Sequence, residues 1–318
     1  YSPYHHQLER RGSFSPQGWD LLIDGFPQPC LMVGLTTIYW RESWKYGERA
    51  LRYCHLDIGH AIGALAVATR TVGWTLRLIG EVPGKVLGQL FGTDLQSGIE
   101  AEQADSLLLC YPGTTPNPTF PSLSADEWQE RMPEMVFHGD PNRLSRNHHP
   151  WPVISQVVQA IEPGVAVNET YLVHSEPSED SPLDLLQDRG LPVEQIIRQR
   201  RSAVQMDGNS NLERQAFYQL LSRLLPSRFP FQSLAWQPQV SLVFFLHRVD
   251  DLSPGIYLLV RDKTHERMLP DSLKASFAWE KPNGCPPYMP FYCLEEGDVQ
   301  AFARKLSCQQ DIASDGVF

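Results

Sequence analysis

The sequence predicts an α+β fold in which a mixed or antiparallel sheet packs against one long central helix. Apolar residues recur at helical spacing from Ile58 to Val72, which predicts that helix. Short runs rich in β-branched, aromatic or leucine residues precede and follow it, at residues 30–40 and 106–111. Small or apolar residues also occupy its other faces, so we expect a helix buried on every side.

The composition of the chain argues against a nucleic-acid-binding protein and against a membrane protein. The chain has 318 residues, 42% of them hydrophobic, and a formal net charge of -10. That length suits one large domain or two compact ones, and the acidic balance argues against a nucleic-acid partner. The six cysteines have no paired short spacing, so we expect reduced thiols in a cytoplasmic protein. Asp57, His60 and Arg70 interrupt the central helix, which therefore is not a membrane span.

The first part of the chain alternates between strand and helix patterns. Residues 30–40 predict a buried strand that leads into the central helix. Residues 75–80 predict a strand or extended loop, residues 85–91 a short helix, and residues 106–111 a second buried strand. Charged and aromatic residues from Trp40 to Arg49 lie just before the central helix, where they would border a ligand pocket.

From Pro112 the composition changes. Proline, serine and acidic residues dominate to about residue 188, which predicts a long connection with one helix at 151–161. Ser210 to Glu213 form a capping-box pattern ahead of an apolar helical face. Other patterns in the second half predict a helix at 192–201 and a hairpin formed by 240–247 and 255–260. After residue 269 the sequence shows little periodicity until 299–306.

A weak internal repeat links the two ends of the chain. Residues 255–267 resemble the opening segment 1–10 in their order of aromatic, basic and acidic residues. The likeness suggests that the chain begins partway through one copy of a unit and that a second copy begins near residue 191. We therefore expect residues 1–9 and 257–266 to occupy equivalent positions.

Several chemical signatures are excluded. Glycines recur every fourth residue from Gly80 to Gly92, but Val86 follows Lys85 where a phosphate loop needs serine or threonine. We interpret these glycines as packing and turn positions. The group from Cys54 to His60 matches no metal-binding spacing, so no metal is predicted. No Gly-x-Ser-x-Gly sequence occurs, which leaves a serine hydrolase without its nucleophile motif.

Two clusters carry candidate chemistry. Arg200-Arg201-Ser202 ends a predicted helix, where cationic side chains either complement the helix dipole or bind an anionic ligand. Lys45-Tyr46 precedes the central helix, where a partly desolvated lysine beside a phenol can exchange protons near neutrality. The alternative is that Lys45 extends its amine to solvent while Tyr46 covers the core. Both alternatives stay open.

These clusters resemble motifs of one family, the nitroreductase-like FMN enzymes, and in particular the SagB-type dehydrogenases that oxidise azolines. The matching stretches are Lys45-Tyr46-Gly47-Glu48-Arg49, Leu51-Arg52-Tyr53 and Asp57-Ile58-Gly59-His60, together with Arg200-Arg201-Ser202. The resemblance implies a nitroreductase-like fold that binds FMN. It further implies that Arg200, Arg201 and Ser202 touch the flavin or its phosphate, that Leu78, Ile79 and Gly80 lie along the isoalloxazine ring, and that Lys45 and Tyr46 are catalytic.

The function implied by this resemblance is hydride transfer between a small-molecule or modified-peptide substrate and flavin N5. Residues 1–111 would be the second half of one unit, 112–190 a connection, and 191–318 the first half of a second unit. That order is expected of a tandem protein cut at both ends, which would form an intramolecular pseudo-dimer or a homodimer. The alternative is a catalytically degenerate, flavin-less scaffold or partner subunit of a peptide-modifying complex.

Overall fold

The protein, seen in a computed structural model, divides into two compact units. The structure describes residues 2, 4–80, 82–161, 190–236 and 239–318. Of these, the residues up to 161 together with Ser233–Trp236 form the first unit, and 190–232 with 239–318 form the second. Residues 112–161 of the predicted 112–190 connection therefore fold with the first unit, while Tyr1 and residues 162–189 lie outside the described residues.

The first unit alternates strands and helices in chain order. Its short edge elements are β1 (Gly12–Ser13), which pairs with β5 (Val136–Phe137), and helices α1 (Pro16–Leu22), α5 (Ala125–Glu130) and α6 (Pro152–Ile161). Its central elements are β2 (Leu31–Thr37), α2 (Trp40–Tyr46), a 3-10 turn (Gly47–Arg49), α3 (Ala50–Thr71), β3 (Trp74–Ile79), α4 (Gly84–Phe91) and β4 (Gln103–Pro112). The strands and helices predicted here are confirmed within a few residues.

The main sheet of the first unit is antiparallel, with strand order β2-β4-β3. Side chains alternate across a strand, so the central strand β4 contributes to two apolar layers. Leu107 and Leu109 pack with residues of α1, α4 and α5, whereas Leu108 and Cys110 pack against α3. All four side chains are buried, which makes β4 the hydrophobic centre of this unit.

The long helix α3 is buried on one face and exposed on the others. Its buried residues are Ala50, Cys54, Ile62 and Ala66. A Cβ atom built on Gly59 or Gly63 would meet no atom within 4 Å. The expectation that α3 is buried on every side is therefore wrong for the described residues. A three-stranded sheet covers a single helix face, and small residues alone do not indicate which faces are covered.

The second unit contains another antiparallel sheet, with strand order β6-β7-β8. Its elements are α7 (Val193–Gln199), α8 (Arg214–Arg223), β6 (Leu242–Leu246), β7 (Gly255–Leu259), α9 (Lys263–Ser272), β8 (Phe291–Glu296), α10 (Gln300–Leu306) and α11 (Ile312–Asp315). The β6-β7 hairpin confirms the prediction from sequence. Phe217 and Leu221 of α8 pack on Tyr257 and Phe291 of the sheet and form the core of this unit.

Two expectations about local structure are wrong. Helix α8 begins at Arg214 with no side-chain cap, and Ser210 instead donates to the carboxylate of Asp207, so Ser210 does not start a capping box. Residues 4–7 are exposed and form a turn closed by an isolated bridge between Ser2 and Gln7, whereas β7 is a central strand. The two segments thus lie in different kinds of structure, and the repeat is not seen in the described residues.

None of the helices in the described ranges is both long enough and apolar enough to cross a membrane.

Candidate active site

A cavity of about 780 Å³ opens in the first unit where β3 ends and α4 begins. Its walls include Leu78, Ile79 and Gly80 from the end of β3, and Gly84, Lys85 and Gly88 from α4. Residues 102–106, at the start of β4, form the facing wall. Pockets that bind cofactors and small molecules measure roughly 300–1,000 Å³, so this cavity is large enough for either.

The α4 wall attracts electron-rich groups. Pro83 caps this helix without a side-chain hydrogen bond, and the first N–H groups of a helix have no intrahelical acceptors. Gly84 and Lys85, the first two residues of α4, line this wall, so the positive end of the helix dipole and a lysine side chain border the cavity. Three carboxylates line the rest of the cavity, namely Asp94, Glu102 and Asp105. The site is thus polarised, with a cationic helix end and an acidic remainder.

His55 and Asp105 form an ion pair in this cavity. His55 lies in the second turn of α3, and its Nδ1 is 3.4 Å from Oδ2 of Asp105 in β4. The Ser106 hydroxyl donates to the other carboxylate oxygen, Oδ1. The Asp105 side chain is only 16% exposed, whereas that of His55 is 42% exposed. The pair therefore links a nearly buried carboxylate to an imidazole that solvent can reach.

The pair shifts the pKa of both members. The hydrogen bond to Asp105 raises the pKa of His55, although partial burial of the ring opposes this change. Burial alone would raise the pKa of Asp105, but hydrogen bonds from His55 and Ser106 hold it below its ordinary value. His55 therefore keeps its proton to a higher pH than a free histidine, and Asp105 stays ionised to a lower pH than a free aspartate.

These shifts predict how the pair stabilises the fold as pH changes. The raised pKa of His55 contributes stability that is complete below the ordinary histidine value, about 6.5, and is lost as pH rises through the raised value. The lowered pKa of Asp105 contributes stability above the ordinary aspartate value, about 3.9, and loses it as pH falls through the lowered value. We expect the melting temperature of the wild type to exceed that of Asp105→Asn most between these limits. A pH-independent difference would contradict the pair.

A second cavity of about 710 Å³ adjoins the first, because Tyr39, Gln103 and Val158 line both. Its walls are rich in aromatic rings, including Trp40, His148, His149 and Trp151. The His148 ring meets Trp40 edge-on at 5.7 Å between centroids, and His149 meets Trp151 at 5.1 Å. The two cavities form neighbouring chambers of the first unit.

The structure brings only part of the predicted site together. Leu78, Ile79 and Gly80 line the first cavity, as expected of residues along a flavin ring. Lys45 is exposed in the last turn of α2, with Nζ 5.0 Å from the centre of the Tyr46 ring. Tyr46 is half-buried and packs edge-on against Tyr53. Neither Lys45 nor Tyr46 lines either chamber, so their catalytic role stays a prediction.

Arg200, Arg201 and Ser202 follow α7 in the second unit and are exposed. The Arg201 guanidinium donates to the carbonyl oxygens of Arg198 and Arg200, at 2.7 and 2.8 Å. Arg201 therefore satisfies carbonyls at the end of its own helix, which is one of the two alternatives left open for this cluster. Binding of flavin by these three residues stays a prediction.

Sequence reasoning missed the His55–Asp105 pair. His55 belongs to the group from Cys54 to His60, whose spacing matches no metal site. Asp105 directly precedes the apolar run at 106–111, and an acidic residue at the head of a buried strand was the available signal. Among the residues that the structure describes, no group of three or more histidine, cysteine or acidic side chains could hold a metal ion.

Comparison with known proteins supports the fold. No family model matches the sequence, and no curated protein matches it. One similar solved structure is that of an inferred nitroreductase from Anabaena variabilis ATCC 29413, with a TM-score of 0.53 and 14% sequence identity. The match covers 95% of this chain and 57% of the other, so this chain spans little more than half of that protein. The chain has a nitroreductase-like α+β fold, as predicted.

Proposed function

We propose that this protein is an FMN-dependent oxidoreductase that transfers hydride between a substrate and flavin N5. The proposal is carried by the cavity at the end of β3, which lies in a nitroreductase-like fold. Its walls include Leu78, Ile79 and Gly80, the residues that the sequence resemblance assigns to the flavin ring. When bound, FMN would supply a hydride acceptor or donor that no side chain can provide.

The lining suits the flavin ring better than it suits the phosphate. Small residues at Gly84, Gly88 and Ala104 leave room for a flat ring system beside Leu78 and Ile79. The uncapped N–H groups of α4 and the Lys85 ammonium suit the electron-rich carbonyl edge of the ring. Lys85 is the one lysine or arginine of the described lining, which also carries three carboxylates. The phosphate therefore needs further cations. The resemblance assigns contacts with the flavin or its phosphate to Arg200, Arg201 and Ser202, which belong to the second unit.

The assignment to a particular type of flavin enzyme rests on the sequence motifs. Lys45-Tyr46 and the motifs that follow favour an azoline-oxidising, SagB-type dehydrogenase acting on a small molecule or a modified peptide. In that assignment Lys45 and Tyr46 transfer protons, and the active form is an intramolecular pseudo-dimer or a homodimer. The acidic lining of the cavity favours a second candidate function, a flavin-less scaffold or partner subunit of a peptide-modifying complex.

Flavin binding separates the two candidates. We expect the purified protein, or the protein reconstituted with FMN, to absorb at about 450 nm, as bound flavins do. Replacing Lys85 with glutamate should weaken FMN binding by about tenfold or more, because it removes the cation of the α4 wall. The substitution should not harm α4, since an acidic residue is favourable in the first turn of a helix. Titration with FMN, followed by fluorescence quenching, measures the affinity.

Lys305→Glu is the matched control for this charge change. Lys305 is exposed in the last turn of α10, in the second unit, and it lines neither chamber. Its replacement should leave FMN affinity within about twofold, because Lys305 belongs to the lining of neither chamber. Equal affinities for the wild type and Lys85→Glu would remove α4 from the flavin site. Absence of any FMN binding by the wild type would favour the scaffold.

A further inference from the structure

We propose that His55 and Asp105 are the proton-transfer pair of this cavity, with His55 exchanging the proton and Asp105 positioning it. The inference rests on the proposed flavin function and adds to it the group that handles the proton. His55 and Asp105 both line the cavity that Leu78, Ile79 and Gly80 also line.

The geometry leaves one nitrogen of His55 for chemistry. Nδ1 faces the Asp105 carboxylate at 3.4 Å, which favours the tautomer or cation with the proton on Nδ1. Nε2 has no hydrogen-bond partner among the residues that the structure describes. The imidazole is 42% exposed, so it can exchange protons with solvent after each turnover. An imidazole held by a carboxylate at one nitrogen and open at the other is the usual arrangement of a general acid or base.

The backbone of β4 provides an independent observation. In the pairing of β2 with β4, Leu35 lies opposite Ser106 and Thr36 lies opposite Ala104. Asp105 is therefore the additional residue of a β-bulge, with no partner of its own in β2. Bulges interrupt the ladder, are frequent beside active sites and re-aim a side chain. Here the extra residue of the bulge is Asp105, whose carboxylate faces His55.

Other ionisable groups surround the pair on several elements. Tyr39, which precedes α2, has its ring centre 6.2 Å from that of His55, and burial raises the pKa of its hydroxyl. Tyr39 lines both chambers, so His55 lies near their junction. The remaining groups on the cavity walls are Lys85 of α4, and Asp94 and Glu102 between α4 and β4. Because several groups can titrate here, a pH–rate profile must be compared between the wild type and variants before it is assigned to His55.

The proposed step balances protons and electrons. In the oxidising direction, FMN held in this cavity would supply the two-electron acceptor for a substrate with adjacent C–H and X–H bonds, taking the C–H hydrogen as hydride. The X–H proton passes to Nε2 of neutral His55, and a C=X double bond forms. In the reducing direction, reduced FMN would supply hydride to an acceptor such as a quinone, and protonated His55 would supply the proton. The quinone thereby gains two electrons and two protons.

The first test needs no flavin. Histidine side chains of the full chain are labelled with ¹⁵N and titrated by NMR, and His55→Gln identifies the resonance of His55 among the ten histidines. We expect His55 to titrate above the ordinary histidine value and to shift downwards in Asp105→Asn, with Asp105→Glu restoring part of the shift. An ordinary titration that Asp105→Asn leaves unchanged would overturn the pair.

The second test separates proton transfer from electron transfer. FMN-loaded protein is reduced with stoichiometric dithionite and mixed without oxygen with 1,4-benzoquinone or with ferricyanide. Benzoquinone must gain protons, whereas ferricyanide gains only electrons. We expect His55→Gln to slow reoxidation by benzoquinone about 10²-fold or more, the usual contribution of a general acid, and to change the ferricyanide rate less than about twofold. In the wild type, the benzoquinone rate should fall as pH rises through the pKa of His55.

The outcomes distinguish this inference from the proposed function. Wild-type protein that binds no FMN contradicts both the function and the role of the pair in it. Protein that binds FMN, while His55→Gln keeps the wild-type ratio of the two rates, overturns the role of His55 alone. A variant slowed equally with both acceptors also contradicts proton transfer, because it indicates a general change in the flavin site. Thermal melting of His55→Gln at each pH verifies that the compared proteins are folded.

Discussion

Replacement of Trp128 by alanine is expected to lower the free energy of unfolding of the first unit by about 3–5 kcal/mol, the usual range for a buried tryptophan. Trp128 is 1% exposed and packs against Phe26, with 6.2 Å between ring centres. Its helix, α5, begins with a capping box in which Ser124 and Glu127 bond each other's backbone N–H groups. The large side chain is therefore held in place by a short but well-capped helix, and its removal leaves a cavity that the backbone cannot close.

Two variants make this measurement specific. Trp128→Phe should cost less than the alanine change, because it keeps an aromatic ring and removes an indole N–H that has no partner among the described residues. Trp44→Ala, at a side chain that is 66% exposed, should change stability by no more than about 0.5 kcal/mol. Two-unit proteins can unfold in stages, so hydrogen exchange of β4 amides is the appropriate measurement. Equal protection in Trp128→Ala and the wild type would remove α5 from the core.

Replacement of Gly255 by alanine is expected to destabilise the second unit by about 3 kcal/mol, at the upper end of the range for overpacking. A Cβ atom at this position would clash with the carbonyl oxygen of Glu295 and would lie 3.1 Å from the Cα atom of Glu296. Both neighbours belong to the backbone of β8, which pairs with β7, so neither can move without disturbing the sheet. Glycine is therefore required at position 255, because it has no Cβ atom.

Gly59→Ala is the opposite case and serves as the control. Gly59 lies inside α3, and an added methyl group would meet no atom within 4 Å. Alanine should stabilise this helix by about 0.5–1 kcal/mol, because glycine loses more conformational freedom on folding. Because the two changes lie in different units, hydrogen exchange of the β7 amides and of the α3 amides gives the two values separately. A Gly255→Ala protein as stable as the wild type would contradict the close approach of β7 and β8.

Local patterns in the sequence were sufficient for most elements of the fold. The apolar periodicity of α3, the β-branched residues of β2 and the spacing of the β6-β7 hairpin are properties of neighbouring residues. Helix α5 was missed because it lies in a stretch rich in proline and serine, whose composition predicted a connection. Helix α9 was missed because Pro270 lies inside it. In both cases tertiary packing or capping outweighs composition, which a single sequence does not display.

The candidate site was less accessible to sequence reasoning. The positions of Leu78, Ile79 and Gly80 followed from a family resemblance rather than from their own pattern. The contact between His55 and Asp105 joins residues that are far apart in the chain. It depends on how α3 lies over the sheet and on a change of register in β4. Neither the packing of α3 on the sheet nor the register change in β4 can be predicted from neighbouring residues. The same residues would form a helix and a strand without this packing or this change of register.

The extra residue in β4 also bears on how such a site could change during evolution. Leu107 to Cys110 keep their strict alternation between the two apolar layers, and the irregularity lies before them, at the cavity. One end of the strand therefore lies in a closely packed interior, and the other end carries the β-bulge at the cavity. Gain, loss or replacement of the residue at position 105 would retune the chemistry of the cavity while the interior keeps its register.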